Sequence, residues 1–201
     1  GGLIFFQGGP GRQATLTNQY QSISQIPLLI AMDGEWGLGM RLDSTISYPR
    51  QMLLGAVQND SIIYQMGYDI GKQMQRLGVH INFAPVVDVN NNPLNPVINV
   101  RSFGENPELV AQKGIMYMQG MQDAGIIATA KHFPGHGDTD KDSHHTLPSV
   151  NYSRERLDSI ELYPFKKIFD AGIKGVMIAH LNVPSLGTEE DTPTTLSRKV
   201  V

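Results

Sequence analysis

Residues 126–137 read IIATAKHFPGHG. A short run, apolar on both of its faces, gives way at Lys131 to a lysine, two histidines and two glycines. Such a run suits a strand buried on both faces, the kind that parallel sheets use. The abrupt change of chemistry marks its carboxyl end. The same grammar recurs along the chain. Apolar runs at 2–6, 27–32, 80–87 and 175–179 are followed by Gln7-Gly8-Gly9, by Asp33-Gly34-Glu35, by Asp88 with Asn90, Asn91 and Asn92, and by His180-Leu181-Asn182.

Segments of helical periodicity separate these runs, and several carry recognisable ends. Asn59 or Asp60 can cap a helix that runs to about Arg76, with Gly78 placed to stop it. Asn106-Pro107-Glu108 sets a capping side chain, a proline at the first helical position and an acid in the first turn, and Gly125 closes that helix. Ser153 caps a further helix through Leu157, Ile160 and Leu162, which Pro164 kinks or restarts. Strand and helix alternate, so the fold class is α/β with a parallel sheet. Reactive groups repeated at the carboxyl ends of strands fit a (β/α)8 barrel or a doubly wound sheet. The barrel is preferred, because Gly8-Gly9-Pro10-Gly11 lacks the spacing and the following acid of a dinucleotide fingerprint.

Composition narrows the function classes. The 201 residues are 40% hydrophobic and 17% charged, ordinary for a globular unit, and no linker or repeat interrupts residues 1–201. Sixteen basic against nineteen acidic residues give a formal charge of −3 with no basic stripe, which argues against a nucleic-acid partner. No apolar stretch approaches the roughly 20 residues of a membrane span. There is no cysteine, hence no thiolate nucleophile or ligand.

The segment 131–145, KHFPGHGDTDKDSHH, holds four of the six histidines beside Asp138, Asp140 and Asp142. Three chemistries are open to it. Metal binding is disfavoured, since no HExxH occurs and the early strand ends at Asp33 and Asp88 carry no HxH pair. Acid/base catalysis is the second: Asp142 and His144 lie two apart on a glycine-rich loop, so the carboxylate can hold one ring nitrogen while the other faces a substrate. Loop histidines that merely fill hydrogen bonds are the third.

KHFPGHGDTDKDSH, together with RSFGENP at 101–107 and IPLLIAMDGEWG at 26–37, resembles the N-terminal barrel domain of glycoside hydrolase family 3. KHFPGHG followed by DSH is similar, more narrowly, to its β-N-acetylglucosaminidase branch. The resemblance implies that His144 is the general acid/base with Asp142 as its partner, and that Asp33, Arg41, Arg101, Lys131 and His132 bind the sugar. It implies a retaining exo-β-N-acetylglucosaminidase acting on terminal β-linked N-acetylglucosamine from cell-wall muropeptides, hence peptidoglycan recycling. No metal or organic cofactor is required, and cytoplasmic location is the branch-level expectation, periplasmic or secreted if a leader precedes the chain. The alternatives are a β-glucosidase of the same family and a non-catalytic carbohydrate-binding module.

The family's nucleophile is an aspartate after a later strand, which places it beyond Val201. The first and final strands are also unmatched, so 1–201 is expected to be a partial barrel of about five strand-helix units. A further domain of the same chain would partner it, and it would be inactive alone. Two local expectations remain. Trp36 serves as a stacking wall for a sugar or packs beneath its loop, and Gly135 with Gly137 lets the histidine loop move.

Overall fold

The computed structural model describes residues 1–139, 147–189 and 192–201. Strands β1 (Gly2–Phe5), β2 (Leu29–Met32), β3 (Ile81–Asn82), β4 (Ile127–Phe133) and β5 (Gly175–Ile178) form one parallel sheet in the order β1-β2-β3-β4-β5. A doubly wound sheet reverses its strand order at a switch point, whereas a barrel wall adds each strand beside the last. The sequential order is that of a barrel wall.

Helix α1 (Pro10–Ile23) joins β1 to β2, and α2 (Gln51–Gly55) and α3 (Ser61–Arg76) lie between β2 and β3. Helix α4 (Pro107–Asp123) leads to β4, and α5 (Arg154–Ser159) with α6 (Leu162–Asp170) leads to β5. Their ends follow local chemistry. The Asn106 side chain accepts from the Leu109 amide and that of Ser153 from the Arg156 amide. The chain breaks after α5, and α6 takes Pro164 in its first turn, where a missing N–H leaves no helical bond unmade. At α3 the cap differs from one of the two readings. Asn59 Oδ1 accepts from the Ser61 amide at 3.1 Å, while Asp60 instead pairs with the buried ammonium of Lys113.

Ile30, Met32, Ile63, Ile70, Met74, Ala128 and Phe165 build the main core between sheet and helices. Helices α3 and α4 meet backbone to backbone through glycines. A Cβ on Gly67 would stand 2.4 Å from the Tyr117 carbonyl oxygen, and one on Gly120 would stand 2.1 Å from that of Tyr64.

Two departures from the sequence reading have simple causes. The run 80–87 gives only two ladder residues in β3, since Pro85 has no amide to donate. Its order nevertheless continues. Val87 N donates to the Lys131 carbonyl at 2.8 Å, and on the other side the Gln51 side chain bonds both N and O of Val86, so the chain arrives at Asp88 held from both sides. Burial on both faces holds for Ile30, Ala31 and Met32 of β2 and for the centre of β4, but not for the outer strands. Ile4 is 47% and Val176 43% exposed, each on a strand that pairs on one side among the described residues.

Candidate active site

Charged side chains meet at the carboxyl ends of β2, β3 and β4. Asp33, directly after β2, accepts from Lys131 Nζ at 2.6 Å on Oδ1 and from Arg41 Nη2 at 2.8 Å on Oδ2. Arg41 Nε also donates to the Asp33 carbonyl at 2.9 Å. Glu35, 1% exposed, accepts from Arg101 Nη2 at 2.6 Å and Nε at 3.0 Å, and its Oε1 lies 2.8 Å from Lys131 Nζ. Arg101 Nη2 is 3.3 Å from His132 Nε2, and His132 Nδ1 is 2.7 Å from Asp88 Oδ2. Arg41, Asp33, Lys131, Glu35, Arg101, His132 and Asp88 are thus one continuous chain of contacts. All five sugar-binding candidates belong to it.

Neighbouring elements hold this geometry. Asn82 on β3 accepts from Gly34 N at 2.9 Å and donates to Gly34 O at 3.2 Å, and the Tyr117 hydroxyl donates to the Glu35 carbonyl at 3.0 Å, so the loop after β2 is pinned around Gly34. Arg101 ends a 3-10 turn (Asn99–Arg101) and donates from Nη1 to the Val97 carbonyl at 3.0 Å. Asn95 Oδ1 in turn accepts the Val97 and Ile98 amides.

The electrostatics follow from burial and pairing. Burial alone would raise the Glu35 pKa, but the charges and hydrogen bonds of Lys131 and Arg101 outweigh it and pull it down to about 2. Asp88 is opposed by burial as well, yet His132 and the His136 amide, which donates to Oδ1 at 2.7 Å, hold it below the usual carboxylate range. Burial pushes His132 below the ordinary histidine value; Asp88 pulls the other way, and the cations Lys131 and Arg101 reinforce burial.

Glu35 and Asp88 were not among the site candidates. Both stand one to three residues past an apolar run, as Asp33 does, but the family resemblance carries a binding role only to Asp33, and the partners of Glu35 and Asp88 lie 66 and 44 positions away. Asp142 and His144, the acid/base dyad expected from the sequence, lie outside the described residues. Other parts of the histidine segment make polar contacts with neighbouring elements. His136 is buried with its carbonyl accepting from Asn95 at 2.8 Å, and Asp138 lies 3.6 Å from Arg156. A Cβ on Gly137 would stand 1.8 Å from the Val89 carbonyl oxygen, so close approach, rather than freedom of movement, accounts for that glycine. The Arg50 guanidinium lies 3.4 Å from the centre of the Trp36 ring and covers one of its faces. Among the described residues no three His, Cys, Asp or Glu side chains group to hold a metal, and no helix is long and apolar enough to cross a membrane.

Known proteins share this arrangement of chain and fold. Residues 10–201 match the Glycosyl hydrolase family 3 N terminal domain. β-Hexosaminidase A of Pseudoalteromonas piscicida is 42% identical over 200 residues, covering 92% of this chain and 33% of the relative. The solved β-N-acetylglucosaminidase of Paenibacillus sp. str. FPU-7, a family 3 glycoside hydrolase, superposes with a TM-score of 0.93 at 44% identity, over all of this chain and 40% of that one. NagZ of Neisseria gonorrhoeae, solved with N-trifluoroacetyl-D-glucosamine, gives a TM-score of 0.90 at 29% identity over all of this chain and 61% of that one. The chain therefore spans between a third and about three fifths of the length of these relatives. With nearly its whole length inside one family's domain and the strand-end residues assembled as described, the chain belongs to glycosyl hydrolase family 3, in its N-terminal domain.

Proposed function

We propose that this chain supplies the sugar-binding side of a retaining exo-β-N-acetylglucosaminidase that releases terminal β-linked N-acetylglucosamine, with cell-wall muropeptides as the natural source. The contact chain from Arg41 to Asp88 carries this reading. Asp33 keeps part of its surface open while Arg41 and Lys131 orient it, so its carboxylate can accept from two vicinal hydroxyls. Arg41, Arg101, Lys131 and His132 ring the same position as hydrogen-bonding groups. The names of the β-hexosaminidase and β-N-acetylglucosaminidase relatives, and the glucosamine derivative bound to NagZ, point to the same sugar.

In the proposed reaction His144, oriented by Asp142, gives a proton to the leaving oxygen as a carboxylate attacks the anomeric carbon and the bond to the aglycone breaks. Water then attacks the glycosyl intermediate, His144 takes its proton, and the sugar leaves with its configuration retained. Asp33, Glu35 and Asp88 make poor nucleophiles, because both oxygens of each already accept from neighbouring side chains or amides. We place the nucleophile beyond Val201, and residues 1–201 alone are expected to show no turnover.

The test is hydrolysis by the full-length protein. An aryl β-N-acetylglucosaminide should be preferred to the aryl β-glucoside, and His144→Ala should lose far more activity on a poor leaving group than on an activated one. Equal losses on both would reject His144 as the acid. Preference for the glucoside would favour the β-glucosidase reading, and saturable sugar binding without turnover would favour a binding module.

A further inference from the structure

We infer that Asp88 is a positioning residue which fixes His132 as its Nδ1–H tautomer, so that the Nε2 lone pair, which faces Arg101 Nη2 at 3.3 Å in the sugar-free site, is what a sugar hydroxyl takes over from Arg101. The acceptor role rests on the sugar-binding reading above; the tautomer does not.

Two contacts on opposite sides of the ring demand the same proton placement. Asp88 is fully buried, and an ionised carboxylate can only accept, so its Oδ2 at 2.7 Å from Nδ1 requires a proton on Nδ1. Arg101 can only donate, so its Nη2 at 3.3 Å from Nε2 requires a lone pair there. Protonating Nε2 would set two donors against each other. Burial and the nearby cations Lys131 and Arg101 disfavour the imidazolium as well. Asp88 is itself over-determined. Its Oδ2 also accepts the His132 amide at 3.1 Å, its Oδ1 accepts the His136 amide at 2.7 Å, and its carbonyl accepts from Ser102 Oγ at 2.6 Å. The carboxylate cannot turn away without abandoning several donors, and the ring it holds is fixed with it. An amide at this position cannot reproduce the arrangement. In either orientation its NH2 group faces a donor, the His136 amide in one and His132 in the other.

The consequence separates the histidines of the KHFPGHG–DSH block by function. His132 is an acceptor that orients a hydroxyl and is barred from giving a proton, while proton transfer is left to His144.

The experiment reads the tautomer directly. In the full-length protein carrying nitrogen-15-labelled histidine, His132 is assigned by the loss of its signals in His132→Gln, and proton–nitrogen correlation spectra show which ring nitrogen is protonated. At neutral pH the expected result is a protonated Nδ1 and a bare Nε2, with Nε2 shifting when N-acetylglucosamine is added. In Asp88→Asn the Nδ1–H population should fall, and kcat/KM on the aryl glycoside should drop by about tenfold or more. An Nε2–H or doubly protonated His132 in the wild type would overturn the inference, as would a folded Asp88→Asn with the tautomer unchanged. An Nε2 that does not respond to the sugar would overturn the acceptor role. Absence of N-acetylglucosaminidase activity would instead sink the proposed function, while the spectrum of the sugar-free protein still decides the role of Asp88.

Discussion

At the ends of β2, β3 and β4, Asp33, Glu35 and Asp88 each satisfy both carboxylate oxygens, whereas on and beside the outer strands Ile4, Phe6 and Val176 turn 43–58% of their surface to solvent. The difference lies in neighbours. A buried charge survives only if several donors or acceptors converge on it, and at the strand ends of this sheet they converge where the strand is flanked on both sides. β2 and β4 deliver Asp33, Glu35, Lys131 and His132 from either side of β3, and Arg101, at the end of its 3-10 turn, joins Glu35 to His132. At β5, His180 reaches the corresponding strand end but remains exposed, with its Nδ1 2.8 Å from the Thr195 hydroxyl.

Removing one partner from the middle should have the largest effect. Glu35→Ala leaves Arg101 and the buried Lys131 short of a counter-charge, and should cost about 3–5 kcal/mol in urea unfolding. A cost below about 1 kcal/mol would place the middle on the same footing as the edge. Acid tests the same contact without a mutation. Because the folded Glu35 titrates at about 2 against an ordinary value of 4.5, its contribution is complete above 4.5 and is lost as the pH falls toward 2. About 3 kcal/mol should disappear across that window, and Glu35→Ala should show a correspondingly flatter dependence of stability on pH. Third, Gly137→Ala, whose Cβ meets the Val89 carbonyl, should cost about 1–3 kcal/mol by melting or urea unfolding. A fully tolerated alanine would return the loop-movement reading to that glycine. Smallest should be an edge change: Val176→Thr on β5 should stay within about 0.5 kcal/mol.

Local chemistry made much of the fold legible. Asn106 and Ser153 cap helices through bonds to amides three positions away, and a contact that short is visible in the order of residues. Strand ends were legible too, because a polar group directly after a buried run has few other meanings. Partners across the fold were not. Asp60 read equally well as a helix cap until Lys113, 53 positions on, claimed it. Glu35 and Asp88 were visible as acids at strand ends, but only the fold shows that one anchors Arg101 and the other His132. The position of Arg41 was legible from the family resemblance, while its grip on both the carboxylate and the carbonyl of Asp33 was not. The shortness of β3 turned on Pro85, and its rescue turned on the side chain of Gln51, a residue no strand pattern would recruit.

The glycine seam between α3 and α4 bears on how a mutational map of this chain would look. These two helices flank β3 in sequence, one leading into it and the other into β4, and their backbones touch where Gly67 faces Tyr117 and Gly120 faces Tyr64. A methyl group at either glycine would wedge the helices apart, and the strain would pass to the strands that carry Asp88 and His132. A saturation scan scored by growth or turnover would therefore show two bands of intolerance, one over the strand ends and one along this seam. Only a separate measure of folded protein would tell the chemical band from the mechanical one.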